Sequence, residues 1–316
     1  MVEPSTIPTQ AKPGGAGPEL ARGLRVSEKL VLGFFIYVVL AAALFPLSWR
    51  ERLAILGLNL LASTVILLLS RFGTNTQSEF LAVVRDWFPC VLILVAYRES
   101  GLFFTPDPSH RFDYLFEKWD FRLLHHGWVL GVLSAGSPWI QHYLELSYFF
   151  AYPLVPFGLG ALYLARRWPA LTRGCKFSND PKTIDHFWTA VLLGLLFCYV
   201  VYPLFPLTPP RILFGDFPGP PVNPLLRKMN FWILGRYGVQ ACIFPSGHVA
   251  AVTATAFTVR YHLPRVGAFF LIAALSVAVA TVYGRYHYTA DALAGALIGS
   301  AAFLVSTRLH RDRSRG

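Results

Sequence analysis

Two histidines and an aspartate in the last third of this 316-residue chain are the residues best suited to chemistry. His248 closes the run Phe244-Pro245-Ser246-Gly247-His248. His287 and Asp291 stand four apart in Tyr283-Gly284-Arg285-Tyr286-His287-Tyr288-Thr289-Ala290-Asp291. A third segment, Pro206-Leu207-Thr208-Pro209-Pro210-Arg211, ends on a permanently charged guanidinium. A carboxylate bonded to one imidazole nitrogen fixes the tautomer and leaves the other nitrogen as a nucleophile. The four-residue spacing predicts that His287 and Asp291 share a helical face, provided the following helix begins early. A Pro-Ser-Gly turn at a helix start supplies backbone N–H groups and the Ser246 hydroxyl as an anion cradle. Arg211 and Arg285 add planar donors that match phosphate oxygens. Together these residues compose a phosphoryl-transfer site.

Each piece has a plainer explanation on its own. Pro-Ser-Gly can be a simple helix entry, Arg285 an interfacial anchor, and the prolines before Arg211 a helix stop. As a set, the residues admit two other functions. His248, His287 and Asp291 could be three metal ligands with an open fourth position, although the arginines and anion cradle would then have no role. The cluster could also be the binding site of a transporter, but no inverted repeat or pair of broken helices is visible.

The elements that must position these residues are membrane helices. The chain is 54% hydrophobic and only 14% charged, whereas soluble domains carry about a quarter charged residues. Eight apolar stretches are candidate spans, each near the roughly 20 residues a bilayer requires. They cover 30–47, 53–70, 81–97, 141–165, 184–204, 241–262, 265–283 and 291–309. The predicted fold class is therefore an all-α polytopic bundle. Residues 1–29, polar and rich in Pro, Gly and Ala, read as a disordered tail, and 310–316 as a basic one. Residues 98–140 are polar but carry Phe112, Tyr114, Phe116, Trp119, Phe121 and Trp128, a pattern suited to helices lying in the headgroup zone. Simple anchoring is the expected role, with lipid gathering as the alternative.

The net charge of +11 suits basic cytoplasmic loops better than a nucleic-acid surface. With eight spans, more than half of the 28 Lys and Arg residues fall on one side. The three chemical segments fall together on the other, which places them outside the cytoplasm. Cys90, Cys175, Cys198 and Cys242 have neither metal-ligand nor disulfide spacing. Arg85 and Asp86 interrupt the third span, and a pair between them at the membrane surface is the expected reason. Arg98 and Glu99 read as an interfacial pair. His110, His125, His126 and His186 suggest no role.

The second and third segments, with Ala292-Leu293-Ala294-Gly295 following, resemble the type 2 phosphatidic acid phosphatase (PAP2) superfamily. That resemblance implies a six-helix core within 76–309, preceded by two additional helices in 30–75. It implies His287 as the nucleophile that forms a phosphohistidine, Asp291 as its orienting partner, and His248 as acid and then base. Ser246, Gly247 and Arg211 would hold the phosphate, with no metal or other cofactor. The phosphatases of the family carry a Lys where this chain has Leu204, a Pro at Ile212, and Ser-Arg at Ala280-Thr281. Arg285 is placed to supply the lost charge. Pro209-Pro210-Arg211, Arg285-Tyr286-His287-Tyr288 and Val84-Arg85-Asp86-Trp87-Phe88-Pro89 are more similar to the inositolphosphotransferase branch, which includes inositol phosphorylceramide synthases. There an alcohol takes the phosphoryl group; in a plain lipid-phosphate phosphatase, water does. Either way the expected partners are the membrane and a lipid phosphate, not nucleic acid.

Overall fold

The computed structural model describes residues 23–75, 78–105, 107–124, 137–172, 177, 180–215, 220, 223–239 and 243–312. Among these, the regular structure is helical throughout. The helices are α1 (Val26–Leu44), α2 (Trp49–Asn75), α3 (Glu79–Ser100), α4 (Arg111–Leu124), α5 (Pro138–Phe150) and α6 (Leu154–Arg167). They continue with α7 (Pro181–Val201), the single turn α8 (Pro210–Leu213), α9 (Leu225–Tyr237), α10 (Gly247–His262), α11 (Pro264–Tyr283) and α12 (Thr289–Asp312). Their starts follow local chemistry. Proline takes the first position of α5, α7, α8 and α11, where its missing N–H costs nothing. Ser78, Asp180 and Ser246 cap α3, α7 and α10 through their side chains.

Among the described residues, six helices are long and apolar enough to cross a membrane, and the α5–α6 pair, bent by 71°, makes a seventh if it is one span. The protein is an integral membrane helical bundle. Six of the eight expected spans appear among these helices, and the other two do not form as single helices of spanning length. The 141–165 stretch breaks around Pro153, which cannot donate to the preceding turn. The sixth begins at Gly247 and not at residue 241, which with Cys242 lies outside the described residues. Its 16 residues span about 24 Å at 1.5 Å each. That length suits its position, because α10 is the central helix and packs against α6, α7, α11 and α12. Ala250, Val252, Ala254, Ala256 and Val259 are wholly buried along it.

The first turn of α1 was expected to belong to a disordered tail; it is bolted to the bundle instead. Asp185 at the start of α7 accepts from Val26 N (3.2 Å), Ser27 N (3.0 Å) and the Ser27 hydroxyl (2.7 Å). A carboxylate at a helix N-terminus satisfies orphan donors and opposes the helix dipole. Residues 1–22 lie outside the described residues, as do 313–316. Arg85 and Asp86 do not pair with each other. Arg85 binds Glu28 with contacts of 2.6 and 2.7 Å, and Asp86 binds Arg25 at 2.6 Å. Glu99 does not pair with Arg98 at the surface. It is buried, and the Asn59 amide, oriented to donate, lies 3.1 Å from both its oxygens. Cys90 and Cys198 are free thiols, and Cys175 lies outside the described residues.

Helices α10 and α12 approach each other closely. A Cβ on Gly299 would sit 2.4 Å from the Ala250 carbonyl oxygen, and one on Gly295 would sit 2.5 Å from that of Ser246. These glycines let two backbones touch just below the chemical segments. We expect Gly299→Ala to destabilise the protein by about 1–3 kcal/mol through overpacking. Gly160 on α6 has open space around it, so Gly160→Ala should be neutral or stabilising through helix propensity. Thermal unfolding of the two variants in detergent checks the opposite signs.

Candidate functional site

The three chemical segments meet at one end of the bundle. Asp291 is the third residue of α12, and its Oδ2 reaches back to accept the Tyr288 N–H at 3.0 Å, one half of a capping box. The same oxygen lies 3.4 Å from His287 Nδ1. His287 precedes the helix by two residues, so the pair forms across a helix start and not along a helical face, contrary to the spacing argument. The backbone joins the second segment to the third, Ser246 N donating to Asp291 O at 3.1 Å. His287 Nε2 then faces the Ser246 hydroxyl at 3.3 Å. That hydroxyl accepts weakly from Val249 N at the start of α10 (3.4 Å) and keeps its own proton to donate.

His248 follows on the first turn of α10, its ring 6.0 Å from that of His287. Tyr152 and Tyr148 flank it, with ring centres at 5.4 and 6.1 Å. Gly247 has no room for a side chain, since a Cβ would meet the Tyr202 hydroxyl at 2.9 Å. The first segment joins through its backbone, Arg211 N donating to Arg285 O at 3.1 Å. The Arg211 guanidinium lies 5.7 Å from the centre of the Tyr286 ring. Burial, and then the Arg211 charge, push His287 down to about 3, so at neutral pH its imidazole is uncharged and a nitrogen lone pair is available. Burial pushes Arg211 itself below its usual range.

Arg285 occupies a different environment. Its backbone is left-handed (φ 60°), which costs about 1 kcal/mol in a residue with a side chain. Glu117 and Asp120 of α4 bear on its charge. The structure thus gathers Ser246, Gly247, His248, His287, Asp291 and Arg211 around one point and sets Arg285 at the rim, partly buried.

Several residues near this point carry no motif. α4 does more than anchor. Its buried Asp113 accepts from Thr208 N of the first segment at 2.7 Å, and also faces His110 Nδ1 at 3.1 Å. Its buried Asp120 accepts from Thr289 N at 3.0 and 3.2 Å. Tyr114, Trp119, Phe121 and Leu123 are exposed on the same helix, as an interfacial helix requires. Asp113 and Asp120, seven apart with Phe116 between them, mark an amphipathic helix in sequence, but nothing there names their partners. Trp128, His125 and His126 lie outside the described residues. At the other end of the bundle, His186 Nδ1 meets His262 Nε2 at 2.9 Å, and His310 Nε2 meets Asp185 at 3.2 Å.

Residues 215–315 match the family model of the PAP2 superfamily. The matched region contains the second and third segments and begins four residues after Arg211. No curated protein and no solved structure matches the chain.

Burial raises Asp120 from 3.8 to about 6. The folded state therefore holds a proton that the unfolded chain has released between about pH 4 and 6. The stability linked to that proton is full below pH 4 and is lost as pH rises through 6. Asp120→Asn keeps an oxygen for Thr289 N and has no charge to bury. We expect its unfolding temperature to gain on that of the native protein from pH 4 to 7, by on the order of 2 kcal/mol in stability. Asp120→Ala should lose roughly 1–3 kcal/mol by stranding the Thr289 N–H. Thermal unfolding across that pH range checks both.

Proposed function

We propose that this protein is a membrane lipid phosphatase or phosphotransferase that works through a phosphohistidine on His287, of the inositolphosphotransferase type. One observation carries the reading: a single imidazole is held by Asp291 at Nδ1 while its Nε2 points at Ser246, at the N-terminus of α10 and beside His248. The PAP2 match over 215–315 supports it.

Nε2 of His287 attacks phosphorus, and the bond from phosphorus to the leaving oxygen breaks. His248 gives that oxygen a proton. The first backbone N–H groups of α10, the Ser246 hydroxyl and Arg211 hold the equatorial oxygens as their charge grows. Asp291 supports the positive charge that develops on His287. In the second half, His248 takes a proton from water or an alcohol, whose oxygen attacks phosphorus and releases His287. Arg285 serves as a second cation at the rim.

The transferase branch is favoured by what fills the phosphatase positions. Leu204 is largely exposed, and the Thr281 hydroxyl donates back to Ala278 O of its own helix at 2.7 Å. Neither offers a charge to phosphate, so the grip rests on Arg211. The site end is read as extracytoplasmic, because Arg25, Lys182, Arg260, Arg265, Arg308 and Arg311 lie at or near the opposite helix ends.

Mass spectrometry of native lipids incubated with purified protein tests the reading. We expect a headgroup-exchanged lipid, and an acid-labile, alkali-stable phosphate on the protein. His287→Ala should lower turnover by roughly 10³-fold or more and abolish the label. Free phosphate with a dephosphorylated lipid would assign the plain phosphatase. Identical product profiles from the native protein and His287→Ala would sink the enzymatic reading.

A further inference from the structure

Beside the histidine pair lies a buried polar cluster that no motif contains. Glu145 of α5 is 1% exposed and spends both its oxygens. Oε1 binds Arg227 Nη1 at 2.6 Å; Oε2 accepts from Asn230 Nδ2 at 2.9 Å and from the Tyr286 hydroxyl at 2.6 Å. Asn230 also donates to the Glu145 carbonyl at 2.9 Å, and Arg227 reaches Gly284 O at 3.4 Å. Arg227 and Asn230 come from α9, so two helices that hold no chemical residue converge on Tyr286.

Tyr286 is the residue immediately before His287. Its ring stacks on Tyr148 at 3.6 Å and 9°, and Tyr148 in turn neighbours His248. The Arg211 guanidinium stands 5.7 Å from the Tyr286 ring centre. The route from Glu145 through the Tyr286 hydroxyl therefore leads to Tyr148 beside His248 and to Arg211. A buried carboxylate is costly unless fully bonded. A cluster that served only to join α5 to α9 would be met as well by apolar side chains. The three donors arranged around the Glu145 carboxylate fix a ring orientation, which apolar packing does not.

We propose that Glu145, itself held by Arg227 and Asn230, is the positioning residue of this site: it locks the Tyr286 ring as the platform that aims Arg211 at a phosphate held between His248 and His287. The inference rests on the phosphoryl-transfer reading and deepens it. The motif residues supply the chemistry, and α5 and α9 supply its alignment.

Two variants separate alignment from mere structure. Tyr286→Phe keeps the stacked ring and removes one bond, leaving Glu145 paired with Arg227 and Asn230. Glu145→Met with Arg227→Met replaces the ion pair by apolar side chains of similar length. Both should fold, with unfolding temperatures near that of the native protein. Turnover of the lipid phosphate found active should fall about 10-fold in Tyr286→Phe and about 100-fold in the double variant. The loss should lie mostly in kcat, since a misaimed guanidinium is felt most as charge develops, with KM rising about fivefold as its hold on the bound phosphate loosens. Folded variants with native kcat would overturn the proposal.

Inorganic phosphate binding, measured by calorimetry on the same detergent-purified proteins, keeps the two readings apart. If the native protein turns over no lipid yet binds phosphate, and Tyr286→Phe binds it at least fivefold more weakly, alignment stands and the lipid reading falls. Equal phosphate affinity in native protein and both variants, or no phosphate binding by the native protein, overturns the alignment proposal.

Discussion

The shared Oδ2 of Asp291 is the contact on which the rest of the site depends. It accepts the backbone N–H of Tyr288 and faces His287 Nδ1, while the carbonyl of the same residue receives Ser246 N. One residue thereby starts α12, orients the imidazole, and ties the third chemical segment to the second. The side chain is fully buried, where these bonds are strong and leaving them unmade is expensive. A carboxylate that must also begin a helix has little freedom, and that rigidity passes directly to the imidazole it holds.

The bundle is built to keep that contact in register. Gly295 and Gly299 bring α12 against α10, so the helix starts bearing Asp291 and His248 share a fixed origin. α4 grips the first and third segments from the headgroup side through Asp113 and Asp120. The far ends of α7, α10 and α12 are linked through His186, His262, Thr307, Asp185 and His310. Polar links therefore sit at both ends of helices whose middles are held by apolar packing.

Much of this was legible in the sequence, for identifiable reasons. Apolar runs of bilayer length announce themselves because lipid admits few other structures. Alternating loops then put the three segments on one side, and they do meet. What was hidden depends on partners distant in sequence. Val26–Glu28 looked like tail because their local composition is polar, yet they bind Asp185 and Arg85. Arg85 and Asp86 are adjacent and of opposite charge, so pairing with each other was the economical expectation. Consecutive helical residues point about 100° apart, however, and each found its partner near the start of α1. Glu145 and Arg227 belong to no periodic pattern, and α9 is too short and polar to register as a span. The helix start at Thr289 decided how His287 meets Asp291, and spacing alone left that start open.

The grip of α4 also bears on how the protein is made. Asp113 waits 95 residues for Thr208, and Asp120 waits 169 for Thr289. Contacts of such separation are closed late, after the intervening chain has entered the membrane. The ribosome must therefore deliver the chain past Thr208 before α4 has a first partner and past Thr289 before it has a second, and the pairing of His287 with Asp291 forms only as α12 begins. A chain synthesised only that far carries the earlier spans without the contact between His287 and Asp291.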